Sequence, residues 1–221
     1  MSFSTEWEQC FQSGTNMSVW PWSDLISYVM RYSPLNNIEF NVLEVGCGAG
    51  ANIPFFKKMG VNYYAIEGSS TIVSKLWDRF PELKNNIIVG DFTKEIPFDI
   101  KFDLIVDRSA ITHNSTNAIK NTLSLIYTKL IKNGKYIGID WFSDVHSDRL
   151  KGVIEEDNYT RGNFTDGQFS DVGQVHFSDK RHLMELFEDF SILVMEHKIV
   201  KREIPDDGLN FASWNLVAQK I

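Results

Sequence analysis

The stretch VLEVGCGAGAN, residues 42–52, decides the fold. An apolar run climbs to an acid at Glu44, meets glycine at 46, 48 and 50, and gives way to polar residues. Residues 42–45 are strand-like. Glycine directly after a strand lets the backbone turn tightly and approach a ligand closely. A helix starting there offers unpaired N–H groups. In an open α/β sheet, ligands bind outside the carboxyl ends of the strands, near the point where strand order reverses. A tight strand-to-helix turn with no ligand would use the same glycines, so the rest of the chain has to separate the two readings.

Working outward, strand-like runs recur at NVLEVG (41–46), NYYAIE (62–67), NIIVGD (86–91), FDLIVD (102–107) and GKYIGIDWF (134–142). Each is short, β-branched or aromatic, and bounded by an acid or a glycine. Helical spacing fills the gaps. Ile72, Leu76, Trp77 and Phe80 share one face behind Ser69 or Ser70 as cap, and Ile119, Leu123, Ile126 and Leu130 form a second stripe that Gly134 is expected to stop. Strand alternating with helix implies parallel strands joined by right-handed crossovers. The rhythm breaks at 143–176, a polar, glycine-rich segment expected to be a lid over a substrate. A capped helix follows at SDKRHLMELFEDF, then two strand-like runs, 191–203 and 210–221, around PDDGL. These read as an antiparallel hairpin. The expected fold is a doubly wound, mostly parallel seven-stranded α/β sheet with helices on both faces and a C-terminal hairpin. It forms a single domain, 1–221, with residues 1–35 as an N-terminal helical cap.

The acids at the strand ends carry the functional signal. Glu67 ends the second strand about 20 residues after the glycines, where a carboxylate can accept from both hydroxyls of a ribose. Asp91 is followed by Phe92, a pairing suited to adenine: the carboxylate takes the exocyclic amine and the ring offers a π face. Asp107 ends the fourth strand.

Taken together these motifs resemble those of class I S-adenosylmethionine-dependent methyltransferases. VLEVGCGAGAN is similar to their glycine-rich first motif, YYAIEGS to the ribose-binding strand and GDF to the adenine motif. FDLIVDRSAITH resembles the fourth strand with the substrate-facing segment after it, and LIKNGKYIGIDWF the fifth strand. The resemblance implies a Rossmann-like methyltransferase fold and S-adenosylmethionine as cofactor. It places Gly46, Cys47 and Gly48 against the methionine part, with Glu44 near its amino group. Glu67 and Gly68 fall at the ribose, Asp91 and Phe92 at the adenine, and Asp107 and Arg108, largely through backbone, near the sulfonium.

Two other classes fit part of the pattern. Gly46, Gly48 and Ala51 satisfy G-x-G-x-x-A, so an NAD-dependent oxidoreductase matches the first turn. Glu44, the GDF at 90–92 and a closing hairpin in place of a second parallel half count against it. A non-catalytic S-adenosylmethionine-binding protein is the other alternative. Against it stand the proton-accepting and orienting groups His146, Tyr159, Arg161 and His176 of the lid.

His113, after the fourth strand, is the first candidate for a base that takes a proton from a hydroxyl or amine; His146 is the second. Asp140 lies on the same rim. Tyr159, Arg161, His176 and Trp22 are candidate substrate contacts, whereas His182 and His197 read as surface residues. No metal is expected: Asp140 and Asp144 are near each other, but no further acid or asparagine completes a site. The net charge of −7, with no basic run, argues against a nucleic-acid partner. Residues 107–110 read DRSA where a [DN]-P-P-[YF] motif would signal base or amide methylation. A small-molecule acceptor is therefore expected, with a sugar or other polyhydroxylated metabolite as the first candidate. No apolar run is long enough to span a membrane, the first residues do not read as a leader, and two cysteines suit the reducing cytoplasm.

Overall fold

A computed structural model describes residues 4–33 and 39–221. Residues 34–35 and 1–3 of the expected cap lie outside the described residues. A sheet of seven strands runs in the order β3 (Ile87–Val89), β2 (Asn62–Glu67), β1 (Asn41–Val45), β4 (Phe102–Arg108), β5 (Leu130–Phe142), β10 (Asn210–Lys220) and β9 (Phe190–Lys201). The first five are parallel, and β10 runs antiparallel to both β5 and β9. Strand order reverses at β1, which places the 46–52 turn at the switch point.

The two-residue period of the strands sorts their side chains between two cores. Leu43, Val45, Ile105 and Tyr136 pack beneath α5 (Thr116–Lys129) and α6 (Lys180–Leu186). Val42, Leu104, Val106 and Ile137 pack beneath α2 (Ser23–Tyr32), α3 (Ile53–Met59) and α4 (Ser70–Arg79). α4 begins with the Ser69 hydroxyl accepting from the Ile72 N–H, a side-chain N-cap.

Three elements differ from expectation. β5 starts directly after α5 at Leu130 instead of at Gly134, because Leu130 pairs with Phe102 and the register then shifts. Gly134 sits in that irregularity, where a Cβ would lie 2.9 Å from the Ile131 carbonyl oxygen. A helix absent from the sequence reading, α1 (Thr5–Ser13), precedes α2; Ser4 caps it and Gly14 closes it in the left-handed region. Segment 143–176 contains its own antiparallel sheet, β6 (Val153–Ile154), β7 (Thr160–Gly162) and β8 (Val175–His176), built on a buried cluster of Phe142, Phe169, Val172, Val175 and Phe177. Among the described residues no helix is long and apolar enough to cross a membrane.

Candidate active site

A cavity of ≈ 400 Å³ follows the carboxyl edge of the parallel strands, roofed by α1 and the start of α2. Its wall can be read strand by strand: Asp91 and Phe92 after β3, Glu67 at the end of β2, the 46–52 turn after β1, Arg108 at the end of β4 with Ser109, Ala110 and His113 after it, Phe142 at the end of β5 and Phe211 at the start of β10. Five strand steps separate the two ends, about 24 Å at the usual strand spacing of roughly 4.8 Å.

At the β1–β3 end the glycines do what only glycine can. Gly46 has φ +68°, and a Cβ there would fall 2.2 Å from the Ala110 Cβ. Gly48, at φ +50°, donates its N–H to Glu67 Oε2 at 2.8 Å, while Ser69 N–H reaches Glu67 Oε1 at 3.1 Å. The carboxylate is thus fixed at the cavity wall by two backbone donors, and burial still pushes its pKa up. Each oxygen keeps a lone pair for a ribose hydroxyl. Asp91 accepts from the Thr93 N–H and hydroxyl at 3.0 and 2.6 Å and pairs with Lys94. Phe92 lies beside it, buried. This carboxylate-lined cradle fits the adenosine of S-adenosylmethionine. Cys47 lines it too, its thiol held protonated by burial. Gly68 is not among the lining residues.

Glu44 lines the cavity at its floor and is held from behind. It shares a strand face with Val42, so its carboxylate meets α3: Asn52 Nδ2 donates at 2.7 Å and the Tyr63 hydroxyl at 2.6 Å. Burial raises its pKa to about 7. Asn52 Oδ1 in turn accepts from the Trp22 N–H at 3.2 Å, which ties the first motif to the cap of α2. Asp107 lies on the opposite face from Arg108 and is fully buried. It accepts from the N–H groups of Ala110 and Ile111 at 2.9 and 3.1 Å, and from Trp141 Nε1 and the Tyr136 hydroxyl at 2.9 and 3.2 Å. Desolvation lifts its pKa to about 6. Its contribution is to hold the turn that carries His113, and its carboxylate does not line the cavity.

Arg108 does line it. Its guanidinium lies over the Trp22 ring and pairs with Asp140 at 3.1 Å. Asp140 also holds Lys198 at 2.9 Å, and Lys198 holds Asp24 of α2 at 2.6 Å. These contacts join the strand ends to the cap. They occupy Asp140, the acid on the same rim as the candidate bases. Ser109 and Asp140 both adopt positive φ, +58° and +56°. The pair is held by Ser109 Oγ donating to the Asp140 carbonyl at 3.0 Å. Such strained backbone clusters at functional sites.

His113 is half-buried in the wall, between Trp7 and Phe142 at ring separations of 4.9 and 5.9 Å. Its Nδ1 stands 3.1 Å from the Gln174 carbonyl oxygen, which only accepts, so Nδ1 carries the proton and Nε2 keeps its lone pair. Desolvation lowers its pKa to about 4.

The other histidines sit elsewhere. His146 accepts the Asp148 N–H on Nδ1 at 3.1 Å and caps the turn Ser147–Lys151, behind the wall. His176 is buried against Thr160 and His182 at 3.2 and 3.1 Å. His182, read from the sequence as a surface residue, is buried, with Tyr159 stacked on it at 3.6 Å, because β8 and β7 pack onto α6 there. His197 is exposed but stacks on Trp214 at 3.9 Å. Arg161 is spent on the carbonyls of Asn158 and Thr160 at 2.9 and 3.1 Å. The insertion therefore reaches the cavity through Gln168, Phe169 and Val172, with Tyr159, Arg161 and His176 outside its lining. Trp7, Asn52, Phe142, Phe169 and Phe211 line the cavity without having been singled out in the sequence; apolar residues scattered along a chain look like core.

A five-strand parallel half with an antiparallel closing pair, a glycine turn at the switch point and a carboxylate at the end of β2 together make a Rossmann-like domain with a nucleoside-sized cradle. Residues 43–138 match the family described as "Methyltransferase domain". A S-adenosylmethionine-dependent methyltransferase from Methanosarcina mazei superposes with a TM-score of 0.68 at 15% identity, over 91% of this chain and 99% of that one. One from Clostridium acetobutylicum gives 0.63 at 14%, over 99% and 97%. The glycopeptide N-methyltransferase MtfA, complexed with S-adenosyl-L-homocysteine, gives 0.63 at 14%, over 90% and 89%. At such identities the likeness shows a shared fold. In sequence the match to a methyltransferase domain is carried by residues 43–138, and over the whole chain the fold is that of class I S-adenosylmethionine-dependent methyltransferases.

Proposed function

We propose that the chain methylates a small-molecule acceptor, with His113 as the base. In this reading Glu67 takes the ribose hydroxyls, Asp91 and Phe92 the adenine, and the 46–52 turn the methionine part. When bound, the cofactor supplies an electrophilic methyl whose bond to sulfur breaks as an acceptor lone pair takes the carbon, leaving the electron pair on sulfur. The acceptor's proton passes to His113 Nε2. A histidine with a pKa of about 4 is a weak base, but it stays unprotonated across the neutral range. It suits a proton made strongly acidic by bond formation at the same oxygen or nitrogen. The cap and the insertion keep water from the reacting atoms.

The observation that carries the reading is the single cavity joining the Glu67 and Asp91 end to His113, whose Nδ1 is committed to Gln174. Alignment in such a cavity is the main contribution a protein makes to a displacement of this kind. A polyhydroxylated acceptor loses its support, since Tyr159, Arg161 and His176 are engaged elsewhere. The test is a thermal-shift series with S-adenosylmethionine, S-adenosylhomocysteine and NAD, followed by mass spectrometry of candidate acceptors. Stabilisation by the first two and a gain of one methyl on a small molecule are expected. Stabilisation by NAD alone, or methyl transfer only to a protein or nucleic acid, would overturn it.

A further inference from the structure

We propose that the part of the cavity beyond His113 is an acceptor subsite for an aromatic ring that carries no negative charge. The inference rests on the methyl-transfer reading above and deepens it.

The walls there come from four separate parts of the chain: Trp7 of α1, Phe142 of β5, Phe169 and Val172 of the insertion, and Phe211 of β10. The rings meet edge to face. Phe142 and Phe169 lie 4.7 Å apart at 73°, and Trp7 stands at 81° to the His113 ring. Such an arrangement leaves ring faces and edges to receive a further ring, the geometry aromatic pairs prefer. Polar side chains are few there: Ser4, Gln168, Asn114 and His113. Asn114 Nδ2 is already bound to the Ile111 carbonyl at 3.1 Å. A sugar would leave most of its hydroxyls unpaired here, each at a cost. A planar ring with one hydroxyl or amino group directed at His113 would not.

Charge is selected next door. A second cavity shares Ser4, His113 and Asn114 with the first, so the two meet at the proposed base. Glu6, Glu155 and Glu156 line it, and among the described residues no lysine or arginine does. The cation near His113 is Arg108, already paired with Asp140, so an acceptor bearing a carboxylate or phosphate would meet that acidic field poorly balanced, whereas a neutral or cationic one would not.

The test uses the full chain loaded with S-adenosylhomocysteine. 2-Naphthol, 2-naphthoate and methyl α-glucoside serve as probes, followed by calorimetry and saturation-transfer NMR. Binding of 2-naphthol but not of the other two is expected. Phe211→Ala, at a half-buried position, should weaken 2-naphthol about tenfold. Val172→Phe, which fills the chamber without removing packing, should abolish its binding. Both variants should hold S-adenosylhomocysteine within about twofold of the parent, since the two ends of the cavity do not share contacts. Equal binding of the glucoside or of 2-naphthoate, or unchanged 2-naphthol binding in both variants, would overturn the inference while leaving methyl transfer intact. Failure of the parent chain to bind S-adenosylhomocysteine would overturn the methyl-transfer reading and this one with it.

Discussion

The guanidinium carbon of Arg108 lies 3.6 Å from the centre of the Trp22 ring. One residue closes a parallel strand and the other caps the helix that roofs the cavity, so this contact fastens lid to floor. Behind it Asp140, Lys198 and Asp24 extend the connection from sheet to α2. A cation over an indole contributes about 1 kcal/mol when partly desolvated. In a double-mutant cycle of Arg108→Ala and Trp22→Ala, urea unfolding should show a coupling of about that size. Strictly additive losses would show that the two residues act separately.

Glu67 is predicted to be the residue on which cofactor affinity most depends. Glu67→Gln keeps the length of the side chain but replaces one accepting oxygen with a donor, so it can satisfy either Gly48 or Ser69 and not both. Loss of a charged hydrogen-bond acceptor costs roughly 2 kcal/mol, or about thirtyfold in affinity. Calorimetric titration with S-adenosylhomocysteine should show this drop, with the urea midpoint moving far less than on core truncation.

Glu44 predicts a pH dependence of stability. Its folded pKa, about 7, lies above the ordinary carboxyl value, so between about pH 4 and 7 the folded state holds a proton that the unfolded chain releases. Stability from this group is present at the acid end of that window and is lost as pH rises through 7, by an amount on the order of a few kcal/mol. Glu44→Gln should flatten the slope of unfolding free energy against pH over the same window, whatever its effect on the absolute value. An unchanged slope would mean that Asn52 and Tyr63 keep the carboxylate ionised in the folded chain.

His113 predicts a displaced acid limb. The base form is the active one, and with a pKa of about 4 it persists well below the ordinary histidine range. The kcat/KM profile should therefore fall only near pH 4, and His113→Gln should lower kcat by about 10²–10⁴-fold with S-adenosylhomocysteine affinity retained. His146→Gln, altered at the cap behind the wall, should lack that signature in kcat.

The two ends of the cavity differed in how far they could be read from the chain. At the nucleoside end the residues lie directly after consecutive strands, so local pattern and α/β topology together locate Glu67, Asp91 and the 46–52 turn. Even the direction of Asp107 follows from the period of two: it alternates with Arg108 and so faces the opposite core. The acceptor end has no such grammar. Trp7, Phe142, Phe169 and Phe211 come from remote parts of the chain and carry no sequence signature that separates a cavity wall from a core. Residues 143–176 look like open loop because their strands are only two or three residues long, and β-pattern needs more length than that to register. His176 and His182 lie away from both solvent and cavity for one reason that no local pattern carries: each helps to bury the other.

The place of β10 has a consequence for biogenesis. This strand lies inside the sheet, between β5 and β9, and brings Phe211 to the cavity. Ribosomal synthesis delivers the five parallel strands first, and with them every group proposed to hold the nucleoside. The wall facing the substrate is finished only when β10, made after both of its neighbours, enters between β5 and β9. The order of synthesis thus supplies the nucleoside-facing residues before the segment that completes the opposite wall.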